Sequence, residues 1–133
     1  MEQNTAEAIK ALPDQVKILV VEDNKFNQLL AKKLLGQMGV QPVIANDGLE
    51  AVNLFQSQSF DIVLMDLQMP NMDGIAATRE IRAMPGIVQP KIIAVTANNF
   101  DNDMDICFEV GMNDFLGKPI SGAALNKKLL QYC

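Results

Sequence analysis

The chain has 133 residues, 49% of them hydrophobic, with no Trp and no His, which fits one globular domain able to bury a core. Its formal net charge is −5 and its lysines and arginines are scattered, so the basic footprint of a nucleic-acid binder is missing and contact with an anionic membrane is disfavoured. The absence of histidine excludes Ser/His and Cys/His nucleophilic dyads and the common zinc sites, leaving carboxylates, hydroxyls, lysine and backbone amides for chemistry.

Residues 1–15 are polar and Ala-rich, with Pro13-Asp14 breaking a loose helical spacing, and are expected to form a linker or N-terminal arm ahead of a domain over 16–133. Lys17–Val21 then reads as a buried strand ending in Glu22-Asp23-Asn24. Asn24 is suited to cap a helix over Lys25–Met38 with an apolar face of Leu30, Leu34, Leu35 and Met38 and a stop at Gly39. Val43–Ala45 is a second strand. After the Asn46-Asp47-Gly48 turn, a helix over Leu49–Gln58 is expected to bury Leu49, Val52 and Phe55 or near neighbours.

Ile62–Met65 is a continuous apolar run that delivers Asp66 to its C-terminal edge, as in a strand buried on both faces. Asp73-Gly74 opens a helix over Ile75–Ala83, with Asp73 as its cap and Gly74 permitting close packing or a tight turn. Lys91–Val95 is a fourth strand, and a helix follows over Asp101–Val110, stopped by Gly111. Asp101, Asp103 and Asp105 read as a solvated helix start, since a calcium loop's glycine and terminal acid do not follow. Phe115-Leu116 is a short fifth strand before Gly117-Lys118-Pro119, and Ser121 caps a last helix to about Gln131. Five strands alternating with five helices predict a doubly wound α/β sandwich with a parallel sheet. Alternation leaves the strand order open.

No apolar run approaches the ~20 residues of a membrane span, and the N-terminus lacks a signal-peptide pattern, so a cytoplasmic location is expected. Cys107 and Cys133 match no metal or redox spacing and are expected to be reduced.

Parallel strands bring their C-terminal ends to one rim, where such sheets bind ligands. Glu22 and Asp23 lie there from the first strand, Asp66 from the third, Thr96 from the fourth and Lys118 from the fifth. Three carboxylates crowded together repel one another unless a cation sits among them. Hard oxygen donors suit Mg²⁺, with Mn²⁺ as the alternative, and Mg²⁺ completes its shell with waters and phosphate oxygens. Lys118, the Thr96 hydroxyl and the Ala97 backbone amide supply donors for an anionic oxygen. Asp66 is the candidate nucleophile of an in-line phosphoryl transfer.

Val21-Glu22-Asp23-Asn24, Met65-Asp66-Leu67-Gln68-Met69-Pro70-Asn71-Met72-Asp73-Gly74, Val95-Thr96-Ala97 and Lys118-Pro119 together resemble the receiver domain of two-component response regulators, over about Lys17 to Leu130. The resemblance implies a flavodoxin-like fold with strand order 2-1-3-4-5. It implies that Asp66 accepts a phosphoryl group from a phosphohistidine on a histidine kinase or histidine phosphotransfer domain, and that Asp23, Asp66 and the Gln68 carbonyl hold Mg²⁺ with Glu22 assisting through a water. Thr96 and Lys118 would engage the phosphoryl oxygens. Phe115 matches the family's switch aromatic, where many relatives carry Tyr, so here the switch works through packing.

The stretches Asn24–Gln28, Ala77–Arg82 and Gly111–Leu116 further resemble receivers of hybrid sensor kinases. An isolated domain is expected to be monomeric, to lose its phosphate slowly and to have Gln68 and Asn98 flanking the site. A phosphohydrolase of the haloacid dehalogenase type is the competing reading, but it requires an acid two residues after the nucleophile, where this chain has Gln68. A receiver-like binding module without phosphotransfer is the third.

Overall fold

The computed structural model describes residues 9–69, 72–97 and 101–133, without the side chains of 101–103. Five strands, β1 (Ile18–Val21), β2 (Val43–Ala45), β3 (Ile62–Asp66), β4 (Lys91–Thr96) and β5 (Asp114–Gly117), alternate with α1 (Lys25–Gln37), α2 (Gly48–Leu54), α3 (Gly74–Ala83), α4 (Asp101–Val110) and α5 (Gly122–Tyr132). The strands form one sheet in the order β2-β1-β3-β4-β5, all pairings parallel. This is the doubly wound, flavodoxin-like arrangement expected.

The pleat explains the two cores. Leu19, Val21, Val63, Met65, Ile92 and Ala94 face one side, against Ala51 and Phe55, Ala77 and Ile81, and Cys107 from the α2–α4 layer. Their alternates Ile18, Val20, Ile62, Leu64, Ile93 and Val95 face the other, against Ala31 and Leu35 of α1 and Leu125 and Leu129 of α5. Every residue of β1 and β3 is therefore buried, which is why these strands read as unbroken apolar runs.

Local signals set the helix ends. Asn24, Asp73 and Ser121 each accept a backbone N–H three residues on, and Asp47 does the same for Glu50 to start α2. Gly39 and Gly111 end α1 and α4 with φ of 86° and 109°. Two details differ from the periodicity. The inward stripe of α1 is Gln28, Ala31, Leu35 and Met38, leaving Leu30 and Leu34 half-buried on its flank. α2 stops at Leu54, four residues early, and turns Leu49 outward at 48% exposure while Ala51 and Phe55 fill the core.

Residues 9–15, in the segment expected to be an arm, lie against α1 and α5. Leu12 is buried and donates its N–H to Met38 O, and the buried Asn126 amide exchanges two hydrogen bonds with the Lys10 backbone.

Candidate active site

The C-terminal ends of β1, β3, β4 and β5 converge because the register aligns them. Val21 pairs with Met65, Asp66 with Val95 and Thr96 with Gly117, and Lys118 N donates to Thr96 O at 2.9 Å. A cleft of about 220 Å³ opens at this rim, lined by Glu22, Asp23, Asp66, Gln68, Thr96, Ala97 and Lys118. All seven residues singled out for phosphoryl and metal chemistry thus face one space. This is room for several water-sized groups, enough for a hydrated cation beside a phosphoryl group.

Carboxylate oxygens of Glu22, Asp23 and Asp66 lie within 4.8 Å of one another; Glu22 and Asp66 are buried and Asp23 is exposed. Lys118 Nζ sits 3.1 Å from both Glu22 Oε1 and Asp66 Oδ2. Burial alone would lower the ammonium's pKa, but hydrogen bonds and charge from Asp66, then Glu22, outweigh it and raise it. Lys118 is therefore firmly cationic. The Lys118–Pro119 peptide is cis.

Backbone donors steady the acids. Asp66 Oδ1 accepts the Gln68 N–H at 3.2 Å, and Glu22 Oε2 accepts the Asn24 N–H at 3.1 Å. Gln28, buried in α1, donates to Glu22 O and Asn46 Oδ1. Asn24 and Asn27 also line the cleft. Sequence reasoning gave Asn24 a capping role and a place in the family motif, and placed Gln28 only in the Asn24–Gln28 resemblance without assigning it a contact; its polar side chain on the inward stripe of α1 was the available signal.

Two glycines permit close backbone packing next to the site. A Cβ on Gly74 would stand 2.3 Å from Asp66 O, and one on Gly48 would stand 2.3 Å from Met72 O, the carbonyl that Gly48 N–H bonds at 3.0 Å. Met69 and Met72 lean partly onto the core, whereas Met65 is wholly within it. Phe115 is half-buried against the α2–α4 core. Asp61 lies at the opposite rim, accepting Lys17 N–H at 2.8 Å. Asn98 and the side chains of Asp101 and Asp103 fall outside the described residues. A second pocket of about 20 Å³, lined in part by Glu22 and Lys118, has space for one water.

Among the described residues no helix is long and apolar enough to cross a membrane. Both cysteines are free thiols.

Residues 18–130 match the family model of the response regulator receiver domain. Among curated proteins, the chain is 41% identical to the sensor histidine kinase RcsC of Salmonella typhi over 119 residues, covering 90% of this chain and 12% of that protein. It is 40% identical to the osmosensing histidine protein kinase SLN1 of Saccharomyces cerevisiae, covering 89% of this chain and 10% of that protein. The chain thus spans about an eighth or less of these two relatives.

Among solved structures it resembles the receiver domain of a Pseudomonas aeruginosa sensor histidine kinase with magnesium coordinated in its active site cleft (39% identity, TM-score 0.79, 88% of this chain and 96% of that one). It also resembles the receiver domain of the S. cerevisiae response regulator Ssk1, solved with the histidine phosphotransfer protein Ypd1 (30% identity, TM-score 0.82, 91% and 90%). With its five-stranded fold, its convergent acids and lysine, and a family match over nearly its whole length, the chain belongs to the response regulator receiver family.

Proposed function

We propose that this chain is a phosphoacceptor signalling domain in which Asp66 takes a phosphoryl group from a phosphohistidine on a partner in a Mg²⁺-dependent reaction. The observation that carries it is the convergence of three carboxylates within 4.8 Å with an ammonium 3.1 Å from two of them. Mutual repulsion of the acids calls for a cation, and an all-oxygen donor set suits Mg²⁺, or Mn²⁺ in its place. Asp23, Asp66 and the Gln68 carbonyl would hold it, with Glu22 beside them. When bound, the cation neutralises charge on the phosphoryl oxygens.

The chain's own groups do the rest. Asp66, oriented through Gln68 N–H, attacks phosphorus in line. Its O–P bond forms as the P–N bond to the partner's histidine breaks, and the electron pair returns to the imidazole nitrogen. Lys118 moves from the Asp66 carboxylate to a phosphoryl oxygen, and Thr96 and the Ala97 amide engage others. Thr96 shifts toward the phosphate and Phe115 fills the space behind it, altering the face built from α4, β5 and α5. Water later hydrolyses the acyl phosphate slowly.

The similarity to receivers of sensor histidine kinases supports a place within a hybrid kinase phosphorelay, on the cytoplasmic side, with residues 16–133 as the receiver and 1–15 as its linker or arm. The isolated domain is a monomer. Incubation with a phosphohistidine-bearing histidine phosphotransfer domain tests the reading: label leaves the histidine and appears on this chain when Mg²⁺ is present. Label that stays on the histidine contradicts it.

A further inference from the structure

Asp114 begins β5, the edge strand of the sheet, and its carboxylate gathers three donors. Oδ1 accepts the N–H of Phe115 at 2.8 Å and Lys128 Nζ at 2.8 Å, while Oδ2 accepts the Tyr132 hydroxyl at 3.0 Å. Lys128 and Tyr132 stand four residues apart on α5 and so share one helix face. The Lys128 ammonium has a second partner: it lies 5.8 Å from the centroid of the Phe115 ring, within reach of a cation–π attraction.

Phe115 packs with the α2–α4 core, whereas α5 covers the opposite face of the sheet. Lys128 spans the two faces only because β5 is an edge, with no further strand to block the way. Both contacts of its ammonium bear on one residue: the carboxylate it pairs with fixes the backbone amide of Phe115, and the cation itself attracts the ring.

Phe115 is coupled to the site through the register. It pairs with Ala94, two residues before Thr96, and Lys118 three residues on donates its N–H to Thr96 O. In this arrangement Lys118 Nζ contacts the Asp66 carboxylate directly at 3.1 Å, a contact that a phosphoryl group on Asp66 must break. The ring position under Lys128 occurs together with this Lys118–Asp66 contact.

We infer that Lys128 is a positioning residue of the switch, holding Phe115 in the place that goes with free Asp66 and so opposing the phosphorylated arrangement. This rests on the reading of Asp66 and Phe115 given above. Any contact that favours one state of a two-state equilibrium weakens ligands of the other by the same factor. A partly exposed cation–π contact corresponds to about two- to fivefold in affinity, while the exposed part of the Lys128–Asp114 pair adds little.

The test uses the full chain, with beryllofluoride and Mg²⁺ as the phosphoryl mimic, titrated by NMR of ring-labelled phenylalanine. Lys128→Gln is expected to tighten beryllofluoride about two- to fivefold and to shift the free-state Phe115 ring signal toward its bound position. Lys128→Arg, which keeps a cation over the ring, restores the wild-type value. Tyr132→Phe, which removes a donor to Asp114 but leaves the cation, stays at the wild-type value. Wild-type affinity in Lys128→Gln, no rescue by Arg, or equal tightening in Tyr132→Phe overturns the inference while leaving the Asp66 reading intact. Failure of wild type to bind the mimic sinks both.

Discussion

Replacing Gly74 with Ala tests whether the nucleophile's backbone is held by close packing at the start of α3. The added methyl would meet Asp66 O at 2.3 Å and Met65 Cγ at 2.9 Å, and β3 is buried along its whole length. Reaching an ordinary contact requires about 1 Å of backbone movement, an overpacking strain of about 1–3 kcal/mol. Ala returns at most about 1 kcal/mol of helix propensity at this first helical position. A net loss of about 1–2 kcal/mol follows, or roughly 4–7 °C in Tm at about 0.28 kcal/mol/K for 133 residues. A domain with about 5–15 kcal/mol of stability remains folded, yet displacing Asp66 by about 1 Å slows phosphorylation up to about a hundredfold. Gly36→Ala is the control: a Cβ there meets nothing within 4 Å, so Tm holds or rises and phosphorylation is unchanged. Calorimetry and phosphorylation by a small phosphodonor read both. Wild-type rate and Tm in Gly74→Ala would refute the packing argument.

Mg²⁺ at ten times its dissociation constant should stabilise the domain by about 1.4 kcal/mol, or about 5 °C in a melting scan; Asp23→Asn should remove most of that shift. Burial alone would raise the Asp114 pKa, but hydrogen bonds from Lys128, Phe115 and Tyr132 and the Lys128 charge bring it below the ordinary value of 3.8. Its stabilisation is thus fully present above pH 3.8 and lost as pH falls through the lowered native value. Acid titration of Asp114→Asn should therefore show a flatter loss of stability there than wild type. Arg82 makes five hydrogen bonds, to Gly111 O twice, Asn113 Oδ1, Gln89 Oε1 and Pro90 O, and burial lowers its pKa. Arg82→Lys cannot reproduce that fork and should cost about 1–3 kcal/mol in urea unfolding; an unchanged midpoint would count against the clamp.

The strands and the candidate site were legible because each depends on short-range pattern. Residues 62–65 and 92–95 are apolar without interruption, as strands covered on both faces must be, and in such a sheet the polar residues that follow fall at one rim. What the pattern could not convey depends on partners distant in sequence. Leu49 looks like a core residue by periodicity, yet α2 ends at Leu54 and Ala51 and Phe55 take the buried places. Gln28 looks like a surface residue, yet its amide finds Glu22 O and Asn46 Oδ1. Leu12 and Lys10, in a segment whose composition suggests a linker, are held by Met38 and Asn126, which lie 26 and 116 residues away in sequence. Strand order came from family resemblance rather than from the alternation, which is compatible with several windings. Arg82 figures in the sequence only within the Ala77–Arg82 resemblance, and its clamp is not legible there, since its four acceptors, Gly111 O, Pro90 O, Gln89 Oε1 and Asn113 Oδ1, lie 7 to 31 residues away in other loops.

Whether Asp66 is the phosphoacceptor is decided by intact-mass measurement after incubation with a small phosphodonor, with and without Mg²⁺ and beside Asp66→Asn. Wild type is expected to gain the mass of one phosphoryl group only with Mg²⁺, and the variant to gain none. A wild type that stays unmodified in Mg²⁺, or an Asp66→Asn chain that gains the group equally, would contradict it.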